Sequence, residues 1–404
     1  MKILHIQQYY NEKMGYQENI LPYYQKKLGH EVVLITSTRS DGFNNDSRVK
    51  KEAEFEENGF IVKRKKIKGE FKRRFVIFDD LYKILDDEKP DYIFHHSVTS
   101  PSIKTVSRYK QNNPHVFIAV DNHADLNISG RNKLWKLFYY NLFWKYIISK
   151  HDKFIDIYFG VTPSRCLFLE EELGVRVDKI KLLPIGADVD NADVTITKEK
   201  LLEKYDIDKN CIIVTHGGKI TPEKQIDRII LAFKRVNNPN IRLVLFGDIQ
   251  DKKVETLIKT DSRIQFIGWL DRKDTLALLK HSDIGIWNTQ HTTLLEDCVA
   301  VGLPLLLRYY GSTSHLIDRT GLFLYEGSIR EIYEKLLILI ENKHLLEKFK
   351  QNAFNLCNLL SYENIAFESI EYTKDLRAKE THKKFMSVEY SDDNYLNFRV
   401  INRM

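Results

Sequence analysis

Short apolar runs alternate along this chain with longer stretches in which apolar residues recur every three or four positions. "KILHI", "HEVVLIT", "PDYIFHH", "HVFIAVD" and "IDIYFGV" have the length and composition of strands, and "YQENILPYYQKKLG", between the first two, has the spacing of a helix. Runs so short and so apolar, with helices between them, predict strands buried on both faces of a parallel sheet. A second series begins at "CIIVTHG" and continues through "IRLVLFG", "RIQFIG", "DIGIWN" and "LPLLLR", each followed by a helical segment. The pattern therefore predicts an α/β chain of two Rossmann-like domains. Residues 186–210 are polar and poor in apolar side chains, and read as the linker. No internal repeat goes beyond the shared architecture.

Length agrees with two domains, because 404 residues exceed what one core usually serves. Cys166, Cys211, Cys298 and Cys357 lie far apart with no C-x-x-C pair, which argues against zinc and against a disulfide framework, so the chain reads as reduced and cytoplasmic. No run approaches the ~18 apolar residues of a spanning helix, and "MKILHIQQYY" starts as a strand and not as a signal peptide. A membrane, if met, is met from its surface. Two D-x-D triplets, Asp188 with Asp190 and Asp206 with Asp208, fall in the linker and read as solvated acids; no metal is expected.

The formal net charge of +6 is unevenly placed. Residues 63–74, "KRKKIKGEFKRR", carry eight basic side chains against Glu70 alone, and residues 131–154 interleave Trp135, Phe138, Phe143, Trp144 and Ile148 with lysines. Rings and cations in this mixture suit an anionic lipid interface; a solvated basic loop beside an aromatic-rich core helix is the plainer reading. Nucleic-acid binding is not expected, since no recognition signature accompanies these features.

In paired Rossmann-like domains the loops after the strands face the ligand. After the first strand Gly15 precedes a helix start, where bare backbone and a helix N-terminus favour a phosphate, or simply a plain turn. "VTHGGKITPEKQ" is more pointed. Gly217 and Gly218 leave a strand end, and Lys219 and Lys224, the latter after the helix-starting "TPE", place two cations where they suit a departing diphosphate. Surface lysines on an exposed helix are the alternative. No Walker pattern is present, so ATP hydrolysis is not expected. His123, in "FIAVDNHADLN", follows a buried strand with Asp121 and Asp125 on either side, able to orient its ring or to meet acceptor hydroxyls. His95 and His96 end another strand and read mostly as fold, and Trp269 in "FIGWLD" lies near a nucleobase or packs in a core.

Several quoted pieces, in order, carry a family resemblance: "MGYQENILPYYQKKLGHEVVLIT", "GVRVDKIKLLPIGAD", "GGKITPEKQIDRIILAF", "LVLFGD", "IQFIGWLDRKDTLALLKHSDIGIW" and "EDCVAVGLPLLL". Together the chain resembles the GT-B glycosyltransferases of family 4, retaining enzymes that use nucleotide-diphosphate sugars. The resemblance implies two facing domains with a cleft between them: an acceptor domain, residues 1–188; a donor domain, 189–359; and a helix at 360–379 crossing back to the first, with 380–404 left unassigned. It implies that Lys219 and Lys224 hold the donor diphosphate with Gly15 close by, and that His123 stands beside the donor sugar. Tyr16, Gln17, Asp121 and Asp125 fall on the acceptor side. No cofactor is implied, and a UDP-sugar is expected before a GDP-sugar.

The match departs at "NTQHTTLLEDCVAVGLP". Family members carry two glutamates separated by seven residues, the first on the donor sugar and the second on the ribose. Counting back from Gly302 and Pro304, the second position is Asp297 and the first is Thr289, which is not acidic; Gln290 or His291 stands in. Thr293 and Glu296 read as a capping box, and the amides of Thr293 and Leu294, with Thr292 before them, face the phosphates. The expected activity is sugar transfer to a hydroxyl on a lipid-linked or oligosaccharide acceptor, in bacterial surface polysaccharide, capsule or glycolipid synthesis at the inner face of the membrane. The alternatives are a non-catalytic subunit of the same fold and a nucleotide-sugar 2-epimerase.

Overall fold

A computed structural model describes residues 1–40, 47–125, 132–190, 195–317, 319–372, 386–389 and 397–400. The chain divides into two units, one of Met1–Gly186 joined by the helix Tyr362–Glu371, the other centred on Ala187–Ser361. The change of unit thus falls two residues before position 188.

The first unit is built on β1 (Lys2–Gln7), β2 (Glu31–Ser37), β3 (Ala53–Glu57), β4 (Phe60–Lys65), β7 (Tyr92–His95), β8 (Phe117–Asn122), β9 (Ile157–Gly160) and β10 (Ile180–Leu182), with a separate hairpin of β5 (Ile67–Phe71) and β6 (Phe75–Phe78). The sheet order is β10-β9-β8-β7-β1-β2-β4-β3, parallel throughout except for the edge pair β3–β4. Alternation assigns the two faces. Leu4, Ile6, Val33 and Ile35 enter one core, while Ile3, Val32 and Leu34 enter the other. Each such aliphatic side chain contributes about 1.5–3 kcal/mol by leaving water.

The second unit carries six parallel strands, β11 (Ile212–Ile220), β12 (Ile241–Ile249), β13 (Ile264–Phe266), β14 (Ile284–Trp287), β15 (Leu305–Arg308) and β16 (Gly321–Leu324), in the order β13-β12-β11-β14-β15-β16. Val244 and Phe246 face one core, Leu243 and Leu245 the other. Both sheets are buried on both sides, which is why their strands read as continuous apolar runs.

Two expectations need correction. The stretch read as linker holds a helix, Lys198–Lys204, whose Leu201 and Leu202 are buried in the second unit; two apolar residues in a charged heptapeptide were enough to dock it. Asp188 is also not a solvated acid, since it is buried with Arg272 Nη2 3.9 Å from its carboxylate. The closing helix spans Tyr362–Glu371. It packs in the first unit through Tyr362, which stacks on Tyr24 with ring centroids 5.7 Å apart, and through Ser369, which accepts from Gln25 Nε2 at 2.9 Å. A Cβ on Gly186 would stand 2.5 Å from the Tyr362 ring, so only glycine lets the backbone pass that ring. In the unassigned tail, Met386–Glu389 and Asn397–Val400 form an antiparallel pair.

Candidate functional site

The cavity of the second unit starts from a backbone arrangement. Parallel β11 and β12 stay in register to their ends, with Gly218 opposite Gly247, and both glycines lie at positive φ, +108° and +117°. A Cβ on Gly247 would sit 2.0 Å from the Gly218 carbonyl oxygen, and one on Gly217 would sit 2.0 Å from the Phe246 ring. Only glycine lets these strand ends lie together. They floor a cavity of about 450 Å³, also lined by Lys219, Thr221, Glu223, Lys224, Trp269, Thr292, Thr293 and Leu294.

Past Gly218, Lys219 projects exposed, and the chain makes a 3-10 turn, Pro222–Lys224, before Gln225 takes a left-handed conformation and the helix Ile226–Phe233 begins. "TPE" is therefore a turn ahead of the helix. That turn swings Lys224 back toward the glycines, so that its Nζ lies 3.6 Å from where a Gly218 Cβ would stand. Burial lowers the Lys224 pKa, opposed by Glu223 and assisted by the charge of Lys219. Among the described residues neither ammonium forms a salt bridge or hydrogen bond. Thr221 Oγ1 is buried without a partner. Trp269 is 73% exposed on the cavity's edge, so it is not the packed core ring that one reading of the sequence allowed.

Six of the sequence candidates, Gly218, Lys219, Lys224, Thr292, Thr293 and Leu294, line this one cavity. Gln290 and Asp297 do not. Asp297 is buried and held by the Arg272 guanidinium, and burial still pushes its carboxyl above the usual range despite that cation. In this structure one carboxylate oxygen of Asp297 is thus already engaged by Arg272. The capping box is corrected. Thr293 already has helical geometry and makes no side-chain cap, while Glu296 is buried with one oxygen 2.5 Å from His291 Nε2 and the other unpartnered. Gln290 Oε1 is buried without a partner beside this loop.

The first unit gathers a second cluster. Asp121, fully buried at the end of β8, takes the Ser97 amide at 2.6 Å on one oxygen and faces His96 Nδ1 at 3.0 Å and His123 Nε2 at 3.3 Å with the other. These partners outweigh burial and hold its carboxyl well below the usual range. Behind it, His96 Nε2 lies 3.0 Å from His5 Nδ1, and His5 Nε2 lies 2.6 Å from Gln25 Oε1. The direction of this chain can be read. Ser369 donates its hydroxyl to the Ala366 carbonyl and so accepts from Gln25 Nε2, which turns the Gln25 oxygen toward His5. Burial drives the His5 pKa down to about 3, so a neutral His5 donates to Gln25 and accepts from His96.

His123 is the half-exposed end of this relay, its side chain 41% exposed. Nearby, burial pushes the Glu18 carboxyl up, with His96 and His123 opposing. Glu18 is a residue the sequence does not single out, because an acid in the first turn of a helix carries no local signal of such burial. Gln17 is buried with both amide atoms unpartnered, while Asp125 lies 3.8 Å from Arg165 Nε. Gly15 precedes the helix Gln17–Lys27, which Tyr16 begins; a Cβ on Gly15 would meet nothing within 4 Å. His95 is buried against Ser102 Oγ at 2.7 Å, a structural role. Among the described residues no three His, Cys, Asp or Glu side chains form a metal-holding group, and no helix is long and apolar enough to cross a membrane.

Comparison with known proteins bears on the fold. Residues 197–356 match the family "Glycosyl transferases group 1". The chain is 27% identical over 241 residues to an uncharacterized glycosyltransferase, MJ1069, of Methanocaldococcus jannaschii, covering 56% of this chain and 58% of that relative. This chain thus spans less than two thirds of the curated relative it matches. Among solved structures it is similar to a glycosyltransferase of Rickettsia africae (TM-score 0.66, 17% identity, 93% of this chain and 98% of that one). It is also similar to Anabaena Alr3699/HepE in complex with UDP (0.68, 13%, 92% and 99%) and to WaaG, a glycosyltransferase involved in lipopolysaccharide biosynthesis (0.60, 14%, 92% and 99%). The fold is that of the GT-B glycosyltransferases, and the chain resembles their group 1 family.

Proposed function

We propose that the chain transfers a sugar from a nucleoside-diphosphate sugar, a UDP-sugar before a GDP-sugar, to a hydroxyl acceptor, with retention at the anomeric carbon. The observation that carries this reading is the glycine-floored cavity with two unanswered cations. A diphosphate seated there gives Lys224 the counter-charge that burial withholds, and the growing negative charge of the leaving oxygen is met by Lys219 and Lys224 without reorganisation. These lysines supply the cationic role, so the transfer is metal-independent. Trp269 offers an exposed ring on the same cavity for the base. His123, held by Asp121 through Nε2, keeps Nδ1 for a sugar hydroxyl, and Tyr16, Gln17 and Asp125 belong with the acceptor. UDP in the Anabaena neighbour supports the choice of donor. A lipid-linked or oligosaccharide acceptor in surface polysaccharide synthesis completes the reading, and the involvement of WaaG in lipopolysaccharide biosynthesis supports that choice.

A non-catalytic donor-binding subunit is the second reading, favoured by Thr289 and by the engagement of Asp297 with Arg272. One experiment separates them. The purified protein is mixed with UDP, GDP and ADP sugars, recording thermal stabilisation and nucleotide release. Saturating donor should stabilise the fold by about 2.7 kcal/mol at a hundredfold excess over Kd. Stabilisation with release supports transfer; stabilisation with no release under any acceptor supports the second reading. No response to any nucleotide removes both.

A further inference from the structure

The helical stretch from Lys133 to His151 is wound in three parts, Lys133–Trp135, the π-helical Lys136–Trp144 and Lys145–His151. Bonding from i to i+5 loosens the winding, so residues four and five apart share a face. The sequence follows that stagger. Trp135, Tyr139, Trp144 and Ile148 step by four, five and four, and they pack inward on the first unit's core. On the outer side Leu134, Leu137, Phe138, Leu142, Phe143 and Tyr146 are between 46% and 69% exposed. Six large apolar side chains in one band are more than scattered surface residues.

The β5–β6 hairpin adjoins this band. Arg74 lies 4.6 Å from the Trp135 ring centroid, and Phe75 meets Trp144 edge-on at 6.3 Å. Phe71 and Ile77 of the hairpin are 53% and 50% exposed. Its tip holds Lys72 and Arg73 at positive φ, 46° and 54°, the conformation a tight hairpin requires and one that glycine or asparagine normally fills. Two long cations thus occupy strained positions beside an apolar face. Lys133, Lys145 and Lys150 are exposed along the helix, and residues 131–150 contain no acid. A cavity of about 560 Å³ opens at Ile77, where Lys68, Lys104, Arg108 and His151 meet Asp79 and Asp80.

We infer that this face is a docking surface for an anionic lipid bilayer, with the apolar band at acyl depth and the lysines and arginines at the headgroups. Charge complementarity selects the occupant. An apolar band rimmed by cations with long aliphatic stems fits an interface in which rings and chains sink and ammonium groups snorkel to phosphates. The surface lies in the first unit and does not rest on the donor cavity.

The test uses the full chain and sedimentation with phosphatidylcholine vesicles, with and without phosphatidylglycerol. Wild-type protein should sediment with the anionic vesicles and be released by salt. Phe138→Ser with Phe143→Ser should weaken binding at least tenfold, and Lys145→Glu with Lys150→Glu should abolish the preference for anionic vesicles. UDP-induced thermal stabilisation, read in parallel, should be the same in all variants, so a failed donor site and a failed membrane surface are told apart. Wild-type protein that stays in solution with anionic vesicles at low salt overturns the proposal, as does equal binding by the Phe138/Phe143 variant. Self-association that the same variant abolishes, without vesicle binding, assigns the face to a second copy and overturns it too.

Discussion

Around Asp121 the polar groups already answer one another, whereas around Lys224 they do not. Asp121 meets Ser97, His96 and His123, and the relay continues through His5 and Gln25 to the helix Tyr362–Glu371. In the second unit the two lysines and Thr221 border a cavity with no partner for their polar atoms among the described residues. A satisfied network fixes geometry and resists titration; an unsatisfied set of cations stores an attraction for whatever anion arrives. Changes in the first cluster should therefore cost both folding and function. Changes in the second should cost function alone.

The largest expected effect is at the unsatisfied set. Lys224→Ala should slow turnover by about 10²–10³-fold while leaving the melting temperature unchanged or slightly raised, because it removes a charge that burial penalises. Lys219→Ala, at a more exposed side chain, should do less. Steady-state rates and thermal melts measure both, and a parallel loss of stability in the Lys224 variant would break the contrast between the clusters.

A smaller but double effect is expected at the satisfied cluster. Asp121→Asn puts an amide against ring nitrogens that need an acceptor, and should lower turnover about a hundredfold and stability by about 1–3 kcal/mol. UDP affinity by calorimetry should stay unchanged. If it falls as far as turnover does, the two clusters are not separate in function.

The smallest effect is a fraction of a proton. Burial lowers the Lys224 pKa in the empty cavity, and a bound diphosphate favours the charged form and raises it again. UDP binding on the alkaline side should therefore take up protons, and affinity should fall as pH rises. Calorimetry in buffers of different ionisation enthalpy reads this directly; proton release, or no linkage at all in that range, would show that Lys224 does not meet the ligand.

Much of this was readable from the chain. Strands buried on both faces announce themselves as apolar runs, and a glycine pair followed by lysines at a strand end marks a cavity through steric need. What escaped reading depended on distance. His5 and His96 are 91 residues apart, so their contact has no local trace. Arg272 reaches Asp297 from another helix, an ion pair that no local spacing announces. Glu296 looked like a cap because its spacing from Thr293 was right, yet His291 claimed it instead. Lys198–Lys204 looked like linker because its charges outnumber the two leucines that dock it.

The glycine floor sets a limit on how such a cavity can change over generations. A methyl group on Gly247 would strike the Gly218 carbonyl and part the two strands, and Gly218 itself holds a positive φ that side chains rarely adopt. Point mutation can therefore redecorate the rim, at Trp269, Thr292 or Thr293, but hardly the base. Descendants of this chain would vary by exchanging side chains around a nearly fixed patch of main chain, so the rim of the cavity drifts while its floor stays as it is.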